Sequence, residues 1–207
     1  LKAVCKEGAQ VSWLPFAGLA FLGGNDCQSI DDIVAGSGTS TVKAPGIAFR
    51  VSSDGTMTGK IVNPRVSAAS YGLQVTPGVD VLGGRVTGCY DANVATWNAS
   101  AGATGDVNIT SFDDVNITAL RSTGGLGAGL YLGHTAGCLV RVKVKGGAYT
   151  GNAGIGVNAE NVPGFEIDGA TISGNAGGGL RINACAGYKI GKVDRSGNTG
   201  YDTSILG

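Results

Sequence analysis

Three turns of the chain carry one signature: Thr-Gly-Asn-Ala-Gly at 150–154, Ser-Gly-Asn-Ala-Gly at 173–177 and Ser-Gly-Asn-Thr-Gly at 196–200. They set Asn152, Asn175 and Asn198 at equal steps of 23 residues. A constant step near two dozen is the length of one coil of a solenoid, in which each copy stacks on the last instead of folding alone. Asparagine held at one turn position then forms a ladder, each carboxamide bonding to the next, which satisfies polar groups in a partly buried turn.

A second register supports the first. Gly-apolar pairs open strands at Gly46-Ile47, Gly72-Leu73, Gly129-Leu130, Gly154-Ile155 and Gly179-Leu180. Each opens an alternating run, as in Ile47-x-Phe49-x-Val51 or Leu180-x-Ile182, so one face points in and the other out. A second strand follows in each coil (Val142-x-Val144, Phe165-x-Ile167, Tyr188-x-Ile190), then the Gly-Asn turn. A coil at 106–128 keeps the pattern irregularly, with Val107-x-Ile109 and Val115-x-Ile117. Leucine-rich repeats need L-x-x-L-x-L, calcium-binding nonapeptides need G-G-x-G-x-D, and helical repeats need a 3.6-residue period. None occurs here, which leaves an all-β parallel β-helix of about 23–26 residues per coil.

Composition agrees. Glycine supplies 38 of 207 residues and charged residues only 14%, as expected for many short strands joined by tight turns. The formal charge is +0 and no basic stripe stands out, which argues against nucleic acid as a partner. Cys5, Cys27, Cys89, Cys138 and Cys185 are odd in number and dispersed, so they read as free, buried thiols of a reducing compartment rather than disulfides or a zinc site. No metal site or cofactor motif is present. The apolar stretch Trp13 to Leu22 is too short to span a bilayer and lacks the basic start of a signal peptide, so no membrane insertion is expected. The first residue is Leu1, which suits a processed or excised piece.

Residues 1–45 depart from the repeat and read as an N-terminal capping segment ahead of a β-helix at 46–207. Within the cap, Ser29 followed by Asp31 and Asp32 resembles a helix start. At Leu206-Gly207 no polar cap is visible, so further protein or a partner chain is expected to cover that end.

Charged residues divide by register. Lys143, Glu166 and Lys189 share one outward column and Lys145 lies beside Asp168, the arrangement of ordinary cross-strand pairs. Measured from the strand-opening glycines, His134 and Glu160 fall in the loop after the first strand. Asp113 and Asp114 fall there one coil earlier if Val107 aligns with Leu130. Two coils separate these carboxylates by roughly 9–10 Å, near the span of an acid and a base flanking a glycosidic bond. Asp113, Asp114 and Glu160 are therefore the catalytic candidates, and His134 a substrate-orienting one. The coil from Gly72 is longest, 34 residues (72 to 105), and its excess around 90–98 reads as a binding-face loop. Tyr90 and Trp97 offer rings, and Asp91, Asn93 and Asn98 hydrogen-bonding groups, a mixture suited to sugars; packing of Trp97 within the loop or between subunits is the alternative. Asn98-Ala-Ser100, Asn108-Ile-Thr110 and Asn116-Ile-Thr118 match the glycosylation pattern, but Asn and Thr are common in such coils.

With G-[IL]-x-[VIL] strands and [ST]-G-N-x-G turns, the chain from about residue 46 to 200 resembles the right-handed, single-stranded parallel β-helix of the pectate-lyase-like group. Sparse charge, free cysteines and a capped start resemble bacteriophage tailspikes within it. The resemblance implies a homotrimer on the virion tail, joined to other tail proteins, that binds a bacterial surface polysaccharide and in many cases cleaves it with paired Asp/Glu. The chain lacks the calcium-binding Asp set with companion Arg of pectate lyases and the clustered Asp motif of polygalacturonases. A non-catalytic structural spike section and a secreted, extracellular polysaccharide lyase or hydrolase stay open as alternatives.

Overall fold

In a computed structural model of the chain, the structure describes residues 2–4, 10–14, 18–22, 24–35, 45–50, 57–69, 71–75, 78–90, 92–96, 115–133 and 141–207. They form a parallel β-solenoid, with no helix among the described residues. Each regular coil contributes three strands, one to each of three sheets of eight, seven and nine strands. One coil runs Val142–Lys145, Ala148–Thr150, Val157–Glu160, and the next runs Glu166–Asp168, Thr171–Ser173, Leu180–Asn183.

The third strand per coil is an addition to the two that periodicity shows. Strands such as Ala148–Thr150 and Thr171–Ser173 have three residues, with only the middle one fully buried. A single inward side chain leaves no alternation to detect.

The core consists of inward columns. In the eight-stranded sheet Ile61, Val81, Ile117, Val144 and Ile167 are register mates and at most 1% exposed. In the seven-stranded sheet Val34, Val66, Val86, Ser122, Tyr149 and Ile172 follow one another, all buried. Ser122 is tolerated because its hydroxyl donates to the Gly129 carbonyl at 2.8 Å. Each fully buried Val, Leu or Ile contributes roughly 1.5–3 kcal/mol, so stacking supplies the driving force that no single coil has.

Register corrects three expectations. Leu130 pairs with Val157 and Val157 with Leu180, so the mate of Gly129-Leu130 is Gly156-Val157, not Gly154-Ile155. Leu73 pairs with Val94, so Ala92–Thr96 is an ordinary strand of the nine-stranded sheet rather than part of an insertion. The long step lies between Val94 and Leu130, which are paired although 36 residues apart (94 to 130), and residues 97–114 fall within it. Finally, Ser29 is inside the strand Gly24–Ile30, with its hydroxyl donating to the buried Asp32 carboxylate, and no helix starts there.

The strands Gly18–Leu22, Gly24–Ile30 and Ile33–Ala35 already belong to the three parallel sheets. Ahead of them, Lys2–Val4 and Gln10–Leu14 add antiparallel to the eight- and nine-stranded sheets. They occupy the N-terminal edges of those two sheets, where a free strand would otherwise offer unpaired backbone groups.

The two motifs that recur in the sequence meet in space. Asn152 Nδ2 donates to Asn175 Oδ1, and Asn175 Nδ2 to Asn198 Oδ1, both at 2.9 Å. A Cβ on Gly156 would lie 2.5 Å from Asn175 Nδ2, and one on Gly179 would lie 2.8 Å from Asn198 Nδ2. The strand-opening glycine of one coil is thus kept bare by the turn asparagine of the next. One coil earlier the ladder stops at Gly125, whose N–H donates to Asn152 Oδ1. Cys89 and Ala69 fill the corresponding buried turn positions before it.

Outward columns carry the charge. Lys143, Glu166 and Lys189 are in register, as are Lys145 and Asp168, and the Lys189 ammonium meets Glu166 Oε1 at 2.9 Å. The seven-stranded sheet differs. Arg65, Arg85 and Arg121 stack in one exposed column, so a basic stripe exists that residues so far apart in sequence do not reveal.

Candidate functional site

The outward face of the nine-stranded sheet collects polar side chains across three adjacent strands, Ala128–Gly133, Val157–Glu160 and Leu180–Asn183. Leu130, Leu132, Val157, Ala159, Leu180 and Ile182 are buried in the core, so their alternates Tyr131, Asn158, Glu160, Arg181 and Asn183 lie on the opposite face. Register places Tyr131, Asn158 and Arg181 in one column and Gly133, Glu160 and Asn183 in the next.

Glu160 is the hub. Tyr131 Oη donates to Glu160 Oε2 at 2.9 Å. This reach depends on Gly133, since a Cβ there would come within 2.4 Å of the Tyr131 hydroxyl. Asn183 Nδ2 lies 3.5 Å from Glu160 Oε1 and Arg181 Nη2 lies 3.9 Å from it, a loose pair in which both side chains remain about one-third exposed or less, 33% and 27%. So placed, the guanidinium adds little to stability and is free to swing to a ligand. Beside them Asn158 is 7% exposed, and its Oδ1 has no hydrogen-bond donor. A buried acceptor left bare is costly.

Cys185 lies next to this cluster but in the core, its Sγ 3.2 Å from the Asn183 carbonyl and 3.4 Å from the Val162 N–H. Burial pushes its thiol pKa up and the Glu160 charge adds to the shift, which disfavours the reactive thiolate. Cys27, Cys89 and Cys185 are all buried and free.

Of the residues singled out from sequence, Glu160 is described, and it ends a strand rather than sitting in the loop that follows. Tyr90 is half-buried in the turn after Cys89, its N–H donating to the Ala69 carbonyl. Asp91, Trp97, Asn98, Asp113, Asp114 and His134 lie outside the described residues. The premise that aligned Asp113 and Asp114 with His134 does not hold, because Leu130 pairs with Val94 and not Val107. Among the described residues no second carboxylate stands in the two columns around Glu160, and no three His, Cys, Asp or Glu side chains converge. Tyr131, Arg181 and Asn183 were not anticipated. Their signal is register, Asn183 as the mate of Glu160 and Tyr131 and Arg181 as mates of the neighbouring Asn158, which only the corrected alignment supplies.

No family model matches the sequence, no curated protein does, and no solved structure matches the fold. Chemically, the cluster combines a phenol, a carboxylate, two carboxamides and a guanidinium on one face of a sheet. That set donates to and accepts from hydroxyl groups at adjacent sites along the face.

Proposed function

We propose that this chain is a receptor-binding section of a tailspike-type spike that recognises a bacterial surface polysaccharide. The observation that carries the reading is the Tyr131–Glu160–Arg181–Asn183 cluster with the bare Oδ1 of Asn158 at its side. Stacked coils suit an extended, repetitive ligand, since equivalent groups recur about every 4.8 Å along the solenoid. The proposal places the chain in a homotrimer on the virion tail with other tail proteins. Trp97, Asn98, Tyr90, Asp91 and His134 are kept as substrate-binding candidates, and Asp113 and Asp114 as the carboxylates that would turn binding into cleavage.

Glu160→Gln keeps the size of the side chain and removes its charge. With host capsule or O-antigen as ligand, the variant is expected to bind about tenfold more weakly in calorimetry, because both the phenol and the guanidinium lose a charged acceptor. Unchanged affinity would exclude this face as the binding site. The single changes Asp113→Asn and Asp114→Asn, assayed by release of reducing ends or unsaturated sugars, test cleavage separately.

A second reading, a structural spike section without catalysis, is favoured by one observation. Glu160 is committed to Tyr131 and has no carboxylate partner among the described residues of its two columns, so paired-acid chemistry has no place at this cluster.

A further inference from the structure

We infer that the exposed face of the seven-stranded sheet is a separate binding surface for a carboxylate-bearing polysaccharide, held by the stacked arginines Arg65, Arg85 and Arg121. The inference rests on the reading above that the chain binds polysaccharide, and it assigns an acidic chemical class and a different face.

The arginines are register mates on three consecutive strands, Arg65–Ser67, Arg85–Thr87 and Arg121–Thr123. All three are exposed, and none has an ion-pair partner among the described residues. Like charges directly opposite on neighbouring strands destabilise a sheet. Elsewhere the chain avoids this, alternating sign along Lys143–Glu166–Lys189 and Lys145–Asp168. The arginine column departs from that habit, and an anionic ligand would remove its cost. Arginine also suits the task, because its planar fork takes a carboxylate through two parallel hydrogen bonds.

Two neighbouring features define what the anion is attached to. Alongside the arginines runs a column of hydroxyls in register, Ser67, Thr87, Thr123, Thr150, Ser173 and Ser196. Thr87 makes only a long contact of 3.5 Å to the Val66 carbonyl, and no side-chain partner holds the others among the described residues. Beyond Arg121 the arginine column drops to Ala148 and Thr171. There an open depression of about 540 Å³ is lined by Arg85, Arg121, Thr123, Ala148, Thr150 and Thr171. Guanidinium and hydroxyl columns side by side match a chain bearing both carboxylates and hydroxyls. Nucleic acid would call for aromatic platforms for its bases, and this face offers none in its described columns.

The test is affinity electrophoresis in gels containing polygalacturonate, with dextran and a single-stranded oligothymidylate as separate arms. Polygalacturonate is expected to retard the protein, less so as salt rises, and dextran is not. The triple variant R65S/R85S/R121S is expected to lose at least about tenfold in apparent affinity, while K60S/K145S/K189S, which removes the same charge from the eight-stranded sheet, keeps it. The melting temperature of the arginine variant without ligand should not fall, since only like-charge contacts are lost. Retention of affinity by the arginine variant, equal loss in the lysine variant, or tighter binding to the oligonucleotide would each overturn the inference. If polygalacturonate is not bound but the host polysaccharide still is, this inference fails while the broader reading stands; if neither is bound, both fail.

Discussion

At Asn175 one carboxamide serves four hydrogen bonds. Its Oδ1 accepts from the Asn152 N–H and Nδ2, and its Nδ2 donates to Asn198 Oδ1 and to the Tyr149 carbonyl. The residue is fully buried, so removing the side chain strands donors and acceptors that water cannot reach. Asn198 makes similar bonds, but it is only partly buried, and one of its Nδ2 bonds goes to Asp202 near the surface. Asn175→Ala is therefore expected to cost about 3 kcal/mol and Asn198→Ala about 1 kcal/mol, measured by urea unfolding. Equal costs would mean that the bonds and not their burial set the energy. This column was readable from sequence because spacing and residue type coincide in three successive coils. Its termination at Gly125 was not, because Gly125, Cys89 and Ala69 occupy the same buried turn without sharing any chemistry.

Short elements and their corners were harder to read. Between the eight- and seven-stranded sheets the chain turns through a left-handed residue at one equivalent position of successive coils, Asp31, Asn63, Gly83, Ala119, Gly146 and Gly169, with a second positive-φ glycine, Gly84 or Gly147, after it in two of them. At that position all but one are Gly, Asn or Asp, which enter that region at low cost; Ala119, at φ 53°, does not. Ala119→Gly should raise stability by about 1 kcal/mol, because relief of the Cβ clash exceeds the added freedom of the unfolded chain. A lower melting temperature in this variant would show that the alanine methyl group contributes more by contact than it costs in backbone strain. These corners hold the three-residue strands in place, and such strands carry too little pattern to be found alone. The same brevity allowed Gly154-Ile155 to pass for the strand opening that belongs to Gly156-Val157. That two-residue slip kept the parity of the alternation, so inward and outward residues were still assigned correctly, but it moved Glu160 from a strand into a loop.

Across the whole molecule, the repeat made the solenoid legible while the faces stayed hidden, because a face is built from residues some 20 to 36 positions apart whose register depends on every intervening turn. Arg65, Arg85 and Arg121 look unrelated in a chain of zero formal charge, and the Tyr131–Glu160–Arg181 cluster needs the same register. The inward face has its own global consequence, through weak acids buried without charge. Burial raises the Cys89 thiol from about 9 to about 11, and it drives the Tyr149 phenol and the Cys185 thiol up as well. Below pH 9 the Cys89 thiol is protonated in both folded and unfolded chains and stability does not depend on it. Between pH 9 and 11 the unfolded chain releases that proton and the folded chain holds it, so stability falls by up to about 1.4 kcal/mol per pH unit, roughly 3 kcal/mol in all. Tyr149 adds a further loss once the pH passes about 10, the ordinary value of its phenol. Urea midpoints should accordingly be level from pH 7 to 8.5 and drop steeply from 9 to 11. Cys89→Ala, which places there the residue that Ala69 supplies one coil earlier, should flatten the first part of that drop and leave the part above pH 10. A drop of the same depth and onset in the variant would move the alkaline sensitivity away from Cys89 and onto the other buried acids.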